Sequence, residues 1–128
     1  MPVEPQTSRA TPPALGPYSP AVRVGPWLIL SGQLGLDPET GTLVDGGAEA
    51  QTARAMKTIS AVLAEHDLSV AAIAKTTIFV TDLASFQAIN EAYATALDGH
   101  RPARSTVQVA ALPAGGLVEI EVWAWAEG

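Results

Sequence analysis

The alternation of apolar and polar positions predicts five β-strands and a brief sixth at residues 43–44. Short runs of aliphatic, β-branched and aromatic residues are separated by Gly, Pro, Asp and Ser, which is typical of strands and their turns. The five longer strands are expected at residues 21–24, 27–31, 75–80, 102–107 and 117–125. Because Gly25-Pro26 separates the first two strands, they are expected to form a hairpin.

Two longer segments have a helical repeat. Apolar residues of the segment 48–66 recur at helical spacing, at Met56, Ile59, Val62 and Leu63. Apolar residues of the segment 83–97 recur in the same way, at Phe86, Ile89, Tyr93 and Leu97. The order ββαβαββ therefore predicts an α+β domain, in which both helices cover one face of a single mixed sheet and the other face stays open.

The last two predicted strands contain Arg104 and Glu119, and we expect them to form a hairpin through the turn at residues 112–116. Residues two apart share a face of a strand. One face of the last strand reads as core, with Val118, Ile120, Val122, Ala124 and Ala126. The other face is mixed, with Leu117, Glu119, Glu121, Trp123 and Trp125.

Two interpretations of the mixed face stay open. Its tryptophans favour coverage by another subunit, with Glu119 at or near a pocket. Alternatively, both acids are solvated charges that discourage edge pairing.

Composition favours one domain. The chain has 128 residues, of which 48% are hydrophobic and only 16% charged, so much of the surface is uncharged or buried in an oligomer. Seven of the ten prolines lie in the first 26 residues, which excludes a regular helix or central strand there. We expect residues 1–10 to be a flexible tail and residues 11–128 to form one domain.

Charge and residue usage disfavour several classes of function. The net charge is −6 and the seven Lys and Arg residues are scattered, so electrostatics disfavours a nucleic-acid partner. The chain has no cysteine and two histidines without metal-ligand spacing, so no metal site is expected. No apolar run reaches the roughly 18 residues of a membrane span, and no signal-peptide pattern is present. These features indicate a cytoplasmic protein without membrane contact.

Two polar side chains could belong to a site. Tyr18 lies in the constrained turn Gly16-Pro17-Tyr18-Ser19-Pro20, where its ring could equally serve packing alone. Asn90 lies one position off the apolar stripe of the second helix. It is either a boundary polar residue or a side chain that reaches a strand end.

Eight short motifs, in order from about Thr11 to the C-terminus, resemble those of the RidA/YjgF family of enamine/imine deaminases. They are Gly16-Pro17-Tyr18-Ser19, Ser31-Gly32-Gln33, Gln51-Thr52, residues 75–80 with Asp82-Leu83, Phe86, Asn90 through Tyr93, Pro102-Ala103-Arg104-Ser105, and Leu112-Pro113 with Val118-Glu119-Ile120-Glu121. The resemblance implies one RidA-like domain over residues 11–128.

The resemblance also implies an architecture and an activity. The fold would be chorismate-mutase-like of the bacillus type, a six-stranded mixed sheet with two helices on one face, assembled as a homotrimeric barrel with active sites between subunits. The activity would be that of a 2-iminobutanoate/2-iminopropanoate deaminase-like hydrolase. It would convert reactive 2-enamine and 2-imine acids, of the 2-aminoacrylate and 2-aminocrotonate type, to 2-keto acids and ammonia without a cofactor.

The implied site consists of six residues. Arg104 would bind the substrate carboxylate, and Glu119 would activate the attacking water. Tyr18 would hydrogen-bond or cover the substrate. Ser31 and Asn90 would shape the pocket, and the Thr106 backbone would supply hydrogen bonds.

The chain departs from the usual family pattern at Pro20, Thr58, Asp67 and the pair Ala96-Leu97. Pro20 and the Ala96-Leu97 pair could alter the pocket and with it the substrate preference.

Two other functions stay open. One is the endoribonuclease or translation-inhibitor activity described for some family members. The other is a non-catalytic trimer that binds small carboxylates through Arg104.

Overall fold

The structure is a computed structural model that describes residues 2–127. Its strands are β1 (Glu4–Gln6), β2 (Ala21–Val24), β3 (Trp27–Leu34), β4 (Ile73–Val80), β5 (Ala103–Gln108) and β6 (Val118–Trp125). Its α-helices are α1 (Gly47–Ala64) and α2 (Phe86–Leu97). Short 3-10 turns precede β4, α2 and β6, at Val70–Ala72, Leu83–Ser85 and Pro113–Gly115.

The six strands form one mixed sheet in the order β1-β2-β3-β6-β4-β5. β4 and β5 run parallel, and every other neighbouring pair is antiparallel. The parallel pair is joined through α2, as expected for a strand-helix-strand unit. The predicted α+β fold, with a six-stranded mixed sheet and two helices, is confirmed.

The predicted hairpin between the Arg104 strand and the Glu119 strand is wrong. β6 is inserted between β3 and β4, so β4 separates it from β5. The turn after β5 does reverse the chain, and β5 and β6 run in opposite directions. However, β6 finds two partners in the middle of the sheet instead of one at its edge. Central pairing buries its apolar face completely, which edge pairing would not do.

The core lies between the helices and one face of the sheet. The β6 residues Val118, Ile120, Val122 and Ala124 are fully buried on this face, as predicted. From α1 the core receives Met56, Ile59, Val62 and Leu63, and from α2 it receives Ile89, Tyr93 and Leu97. Within residues 2–127 neither helix packs on the opposite face, and Trp123 and Trp125 on it are 43% and 46% exposed. We call this surface the open face.

Three local features differ from the sequence predictions. β1 lies inside the segment expected to be a flexible tail, where it pairs with β2. The brief strand expected at residues 43–44 is a single bridge between Leu36 and Leu43. The second helix begins with the 3-10 turn Leu83–Ser85, in which Asp82 Oδ1 accepts a hydrogen bond from Ala84 N–H at 2.9 Å.

Within residues 2–127, neither α-helix has the length and apolar composition that crossing a bilayer requires.

Candidate active site

Arg104 lies on β5 with its side chain on the helix-covered side of the sheet. Its neighbour across the parallel ladder is Thr76, which is fully buried. Residues paired across a ladder point to the same face, so the guanidinium extends toward α2. There, Arg104 Nη1 donates a hydrogen bond to Asn90 Oδ1 at 2.8 Å. Asn90 therefore reaches a strand residue, which was one of its two expected roles.

Two aromatic rings of α2 also contact the guanidinium. The Arg104 Cζ atom lies 5.5 Å from the Phe86 ring centroid and 5.2 Å from the Tyr93 centroid, within the range of cation–π attraction. Phe86, Asn90 and Tyr93 are spaced at i, i+4 and i+7, so they lie along one side of the helix. Two rings and a neutral amide hold the guanidinium and leave its positive charge in place.

A cavity of about 390 Å³ opens beside Arg104, and its walls include Leu97, His100 and Pro102. β5 is an edge strand, so one set of its backbone groups has no partner strand. Val109 N–H donates to Val80 O at 2.8 Å. The backbone N–H and C=O groups of the odd-numbered residues of this segment therefore face β4.

By alternation, the backbone groups of Arg104 and Thr106 face the open edge of the sheet. The Thr106 Oγ1 atom is buried and has no hydrogen-bond partner within residues 2–127. The Arg104 guanidinium and the Thr106 backbone, the two groups that the resemblance implies for substrate binding on β5, thus belong to the same strand edge.

Glu119 lies on β6 with its side chain on the open face. Burial raises the pKa of its carboxyl group, and the negative charge of Glu121 raises that pKa further. Gly32 on β3 makes room for this side chain: a Cβ added there would lie 2.8 Å from Glu119 Cδ and 2.9 Å from Cγ. The carboxyl group therefore lies directly over the β3 backbone.

A second cavity, of about 360 Å³, contains Glu119 together with Tyr18, Pro20, Gly32 and the proline-rich segment of residues 11–16. Tyr18 is 51% exposed, and its hydroxyl oxygen accepts a hydrogen bond from Leu15 N–H at 3.2 Å. The tyrosine and the glutamate thus lie beside the same space.

Ser31 connects the Tyr18 turn to β3. Its hydroxyl donates to Ser19 O at 2.6 Å, and its N–H donates to Pro20 O at 2.9 Å. Both bonds hold the turn that presents Tyr18. In this protomer, Ser31 therefore acts on the pocket through the position of that turn.

Arg104 and Glu119 lie on opposite faces of the sheet within one protomer. Arg104 pairs with Thr76 on β4, whereas Glu119 pairs with Phe79, three residues further along. An odd separation along a strand reverses the face. The Cα atoms of Arg104 and Glu119 are separated by two strand spacings across the sheet and by three residues along the strands, which corresponds to a distance of about 14 Å. One substrate therefore cannot meet both side chains of the same protomer.

Phe86, Tyr93 and Gly32 lie in motifs that resemble those of the family, but the sequence gave the two rings no role beyond the apolar stripe of a helix and gave Gly32 no role of its own. The i, i+4, i+7 spacing of the two rings around Asn90 was the available signal for a shared site. Nothing in the sequence showed that β5 would run beneath that side of α2. Among residues 2–127, no group of three or more His, Cys, Asp or Glu side chains is arranged to hold a metal ion.

Comparisons with known proteins agree with the motifs of the sequence. The family model described as Endoribonuclease L-PSP matches residues 8–126. Protein DfrA of Myxococcus xanthus is 47% identical over 116 residues, which covers 89% of this chain and 88% of that protein. The 2-iminobutanoate/2-iminopropanoate deaminase of Mus musculus is 44% identical over 110 residues, covering 86% of this chain and 82% of the relative.

Comparison with solved structures points to the same family. The crystal structure of E. coli TdcF with bound serine superimposes with a TM-score of 0.89 at 36% identity, and the match covers 95% of this chain and 98% of TdcF. A family model that spans nearly the whole chain, close relatives and a matching fold point the same way. The chain belongs to the RidA/YjgF family, whose model is described as Endoribonuclease L-PSP.

Proposed function

We propose that this protein hydrolyses reactive 2-imino acids, the tautomers of 2-enamine acids of the 2-aminoacrylate and 2-aminocrotonate type, to 2-keto acids and ammonia. The observation that carries the proposal is a complementary pair of groups. One is a guanidinium held by two rings and a neutral amide, and the other is a partly buried carboxyl group of raised pKa. The mouse relative named for this activity supports the assignment of the reaction.

Arg104 would bind the carboxylate of the imino acid. A guanidinium can form two parallel N–H···O bonds to a carboxylate, which fixes the orientation of the substrate as well as its position. The backbone N–H groups at the edge of β5, at Arg104 and Thr106, would add donors to the same anion. The bound serine of the structurally similar TdcF is a small carboxylate of comparable size.

Glu119 would act on water. A carboxylate next to the imine carbon can accept a proton from water as the oxygen attacks, provided that its pKa lies near the working pH. Partial burial and Glu121 move the pKa of Glu119 in that direction. Tyr18, in the same cavity, would cover the substrate or donate to it through its hydroxyl group.

The proposed steps balance without a cofactor. Water adds its oxygen to the iminium carbon, Glu119 takes one proton from the water, and the electron pair of the C=N bond moves to nitrogen. Glu119 then gives the proton to the amino group. The C–N bond breaks, the hydroxyl loses its proton to Glu119, and the 2-keto acid and ammonia leave. The glutamate returns to its ionised form when that last proton passes to ammonia or solvent.

The proposal includes assembly into a homotrimer with active sites between subunits. Arg104 and Glu119 lie on opposite faces of one protomer, so a complete site needs the β5 edge of one copy beside the open face of another. The partly exposed Trp123 and Trp125 favour an open face that is covered by protein. A trimeric barrel, the assembly implied by the family, satisfies both requirements through cyclic symmetry.

Two alternative functions have less support than imine hydrolysis. RNA cleavage would require a cluster of phosphate-binding side chains, whereas the net charge is −6 and the basic residues are scattered. A non-catalytic carboxylate-binding trimer would use Arg104 but would give Glu119 no role. A cytoplasmic setting belongs to the proposal, as does the supply of the imines by pyridoxal-phosphate-dependent dehydratases, which the family resemblance implies.

The test is an assay in which a threonine dehydratase generates the imine and the decay of the imine is followed together with keto-acid and ammonia release. The wild type should accelerate hydrolysis. Arg104→Ala should lose both turnover and 2-ketobutyrate binding, whereas Glu119→Gln should lose turnover and largely keep binding. Full turnover by Glu119→Gln would remove the carboxyl group from the mechanism, and no acceleration by the wild type would refute the deaminase assignment.

A further inference from the structure

We infer that Phe86 and Tyr93 are positioning residues, whose rings fix the orientation in which Arg104 presents its guanidinium to the substrate carboxylate. The inference rests on the proposed function, because it assumes that Arg104 is the carboxylate receptor. It assigns to two aromatic side chains of α2 a role in substrate binding that they exert through Arg104.

The geometry confines the guanidinium from several directions. The two ring centroids lie 5.5 Å and 5.2 Å from Arg104 Cζ, and Asn90 Oδ1 accepts from Nη1 at 2.8 Å. An arginine side chain on a strand otherwise has many rotamers. Three contacts from one rigid helix leave few of them available. The contact with Asn90 uses one of five N–H donors, and the remaining donors can serve a carboxylate.

The Tyr93 ring is itself anchored. Its hydroxyl shares a hydrogen bond of 2.7 Å with Thr76 Oγ1, and both residues are buried. Thr76 is the ladder partner of Arg104 on β4. The strand pair therefore fixes the ring, and the ring fixes the guanidinium of the neighbouring strand.

Phe86 has an unusual position for an aromatic residue of an amphipathic helix. It is 39% exposed, whereas the other three members of the predicted stripe, Ile89, Tyr93 and Leu97, are buried. Packing of the core therefore does not explain its ring. Contact with a cation does explain it, because a ring face attracts a guanidinium whether or not the ring is fully buried.

The preorganised guanidinium should matter for affinity. A carboxylate that binds a fixed, planar donor pair does not have to order the arginine side chain first. The contact with the carboxylate exists in both the bound substrate and the transition state. Loss of positioning should therefore raise KM and leave kcat near its wild-type value.

The decisive variants change Phe86, because its exposure allows substitution without loss of folding. Phe86→Leu removes the ring and should weaken 2-ketobutyrate binding about 3–10-fold, the range expected for one partly exposed cation–π contact. Phe86→Tyr keeps a ring and should bind within about twofold of the wild type. Leu83→Ala, at an exposed residue that precedes the helix, is the matched control and should also bind within about twofold.

A second measurement reports the guanidinium directly. In the ¹⁵N-labelled protein, the Nε–H signal of Arg104, assigned by its absence from Arg104→Ala, should be displaced by the two rings. Phe86→Leu should move it toward the position of a free arginine, and Thr76→Val should do the same by releasing the Tyr93 ring. Leu83→Ala should leave it unchanged.

The outcomes separate this inference from the proposed function. Wild-type affinity and an unmoved Arg104 signal in Phe86→Leu would overturn the positioning role, while loss of binding in Arg104→Ala would leave the proposed function intact. Equal binding by the wild type and Arg104→Ala would remove Arg104 as the carboxylate receptor. That result would overturn the proposed mechanism and this inference together.

Discussion

The contact between Gly32 and Glu119 permits a sharp test of the proposed base. Gly32→Ala would place a methyl group 2.8 Å from Glu119 Cδ, 2.9 Å from Cγ and 3.1 Å from Oε1. Favourable carbon contacts begin at about 3.5 Å, so the carboxyl group must move by roughly 0.7–1.2 Å. A displacement of about 1 Å at a reacting group can cost about 100-fold in rate.

We therefore expect kcat/KM for imine hydrolysis to fall about 10–100-fold in Gly32→Ala, equivalent to about 1.4–2.7 kcal/mol of transition-state stabilisation. The free energy of unfolding should change by less than about 1 kcal/mol, because the displaced atoms belong to a flexible side chain and alanine restricts the unfolded chain. Gly16→Ala is the comparison: its methyl would lie 3.8 Å from the Tyr18 ring, an ordinary contact.

The assay is steady-state hydrolysis of dehydratase-generated imine, with chemical denaturation of the same samples. Gly16→Ala should keep its rate within about threefold, since its new methyl displaces nothing. Wild-type activity in Gly32→Ala would refute the argument that the carboxyl position over β3 is the catalytic one. A loss of activity that merely follows a loss of stability would also refute it.

Three further variants test other parts of the structure. Glu121→Gln removes the weaker of the two causes that raise the pKa of Glu119, so that pKa should fall while staying above its ordinary value. The acidic limb of the pH profile of kcat/KM should therefore move to lower pH. If that limb does not move, a group other than Glu119 titrates. Trp123→Glu should dissociate the proposed trimer, at a cost of about 2–5 kcal/mol, whereas Ser60→Glu on the exposed side of α1 should not; sedimentation measures both. If the Trp123→Glu variant sediments as a trimer, the interface lies elsewhere. Ile120 is fully buried in the centre of the sheet. Ile120→Ala should therefore lower the free energy of unfolding, measured by denaturant titration, by about 2–5 kcal/mol. A loss below about 0.5 kcal/mol would contradict the place of this residue in the core.

Local patterns were sufficient for both helices, for five of the six strands and for the two faces of β6, but they missed β1 and predicted a strand at residues 43–44 that is a single bridge. The alternation of β6 separated the buried residues from the mixed face because the period of a strand follows from covalent geometry. The same patterns could not find the partners of β6. A chain reversal at residues 112–116 fits either an adjacent strand or one further along, and the choice depends on burial in the assembled sheet.

For the candidate site too, local patterns identified residues but not their arrangement in space. Motif resemblance named Arg104, Glu119, Tyr18 and Asn90, and the structure places each of them beside one of two cavities. Whether two residues share a face depends on the register between distant strands, which no local signal contains. The sequence therefore predicted which residues to examine and not that Arg104 and Glu119 would be separated by the sheet.

Subunit mixing tests the central claim, hydrolysis at sites shared between copies of the chain, most directly. Arg104→Ala and Glu119→Gln are each expected to be inactive, and each retains the group that the other lacks. The two variants would be unfolded and refolded together in equal amounts, with different tags to verify mixed trimers, and then assayed for imine hydrolysis.

If each site takes Arg104 from one protomer and Glu119 from the next, about one quarter of the sites in a random mixture should be intact, and about one quarter of the wild-type rate should return. Verified mixed trimers without activity would contradict the account, because they would show that one protomer supplies both groups or that the two groups do not form a site.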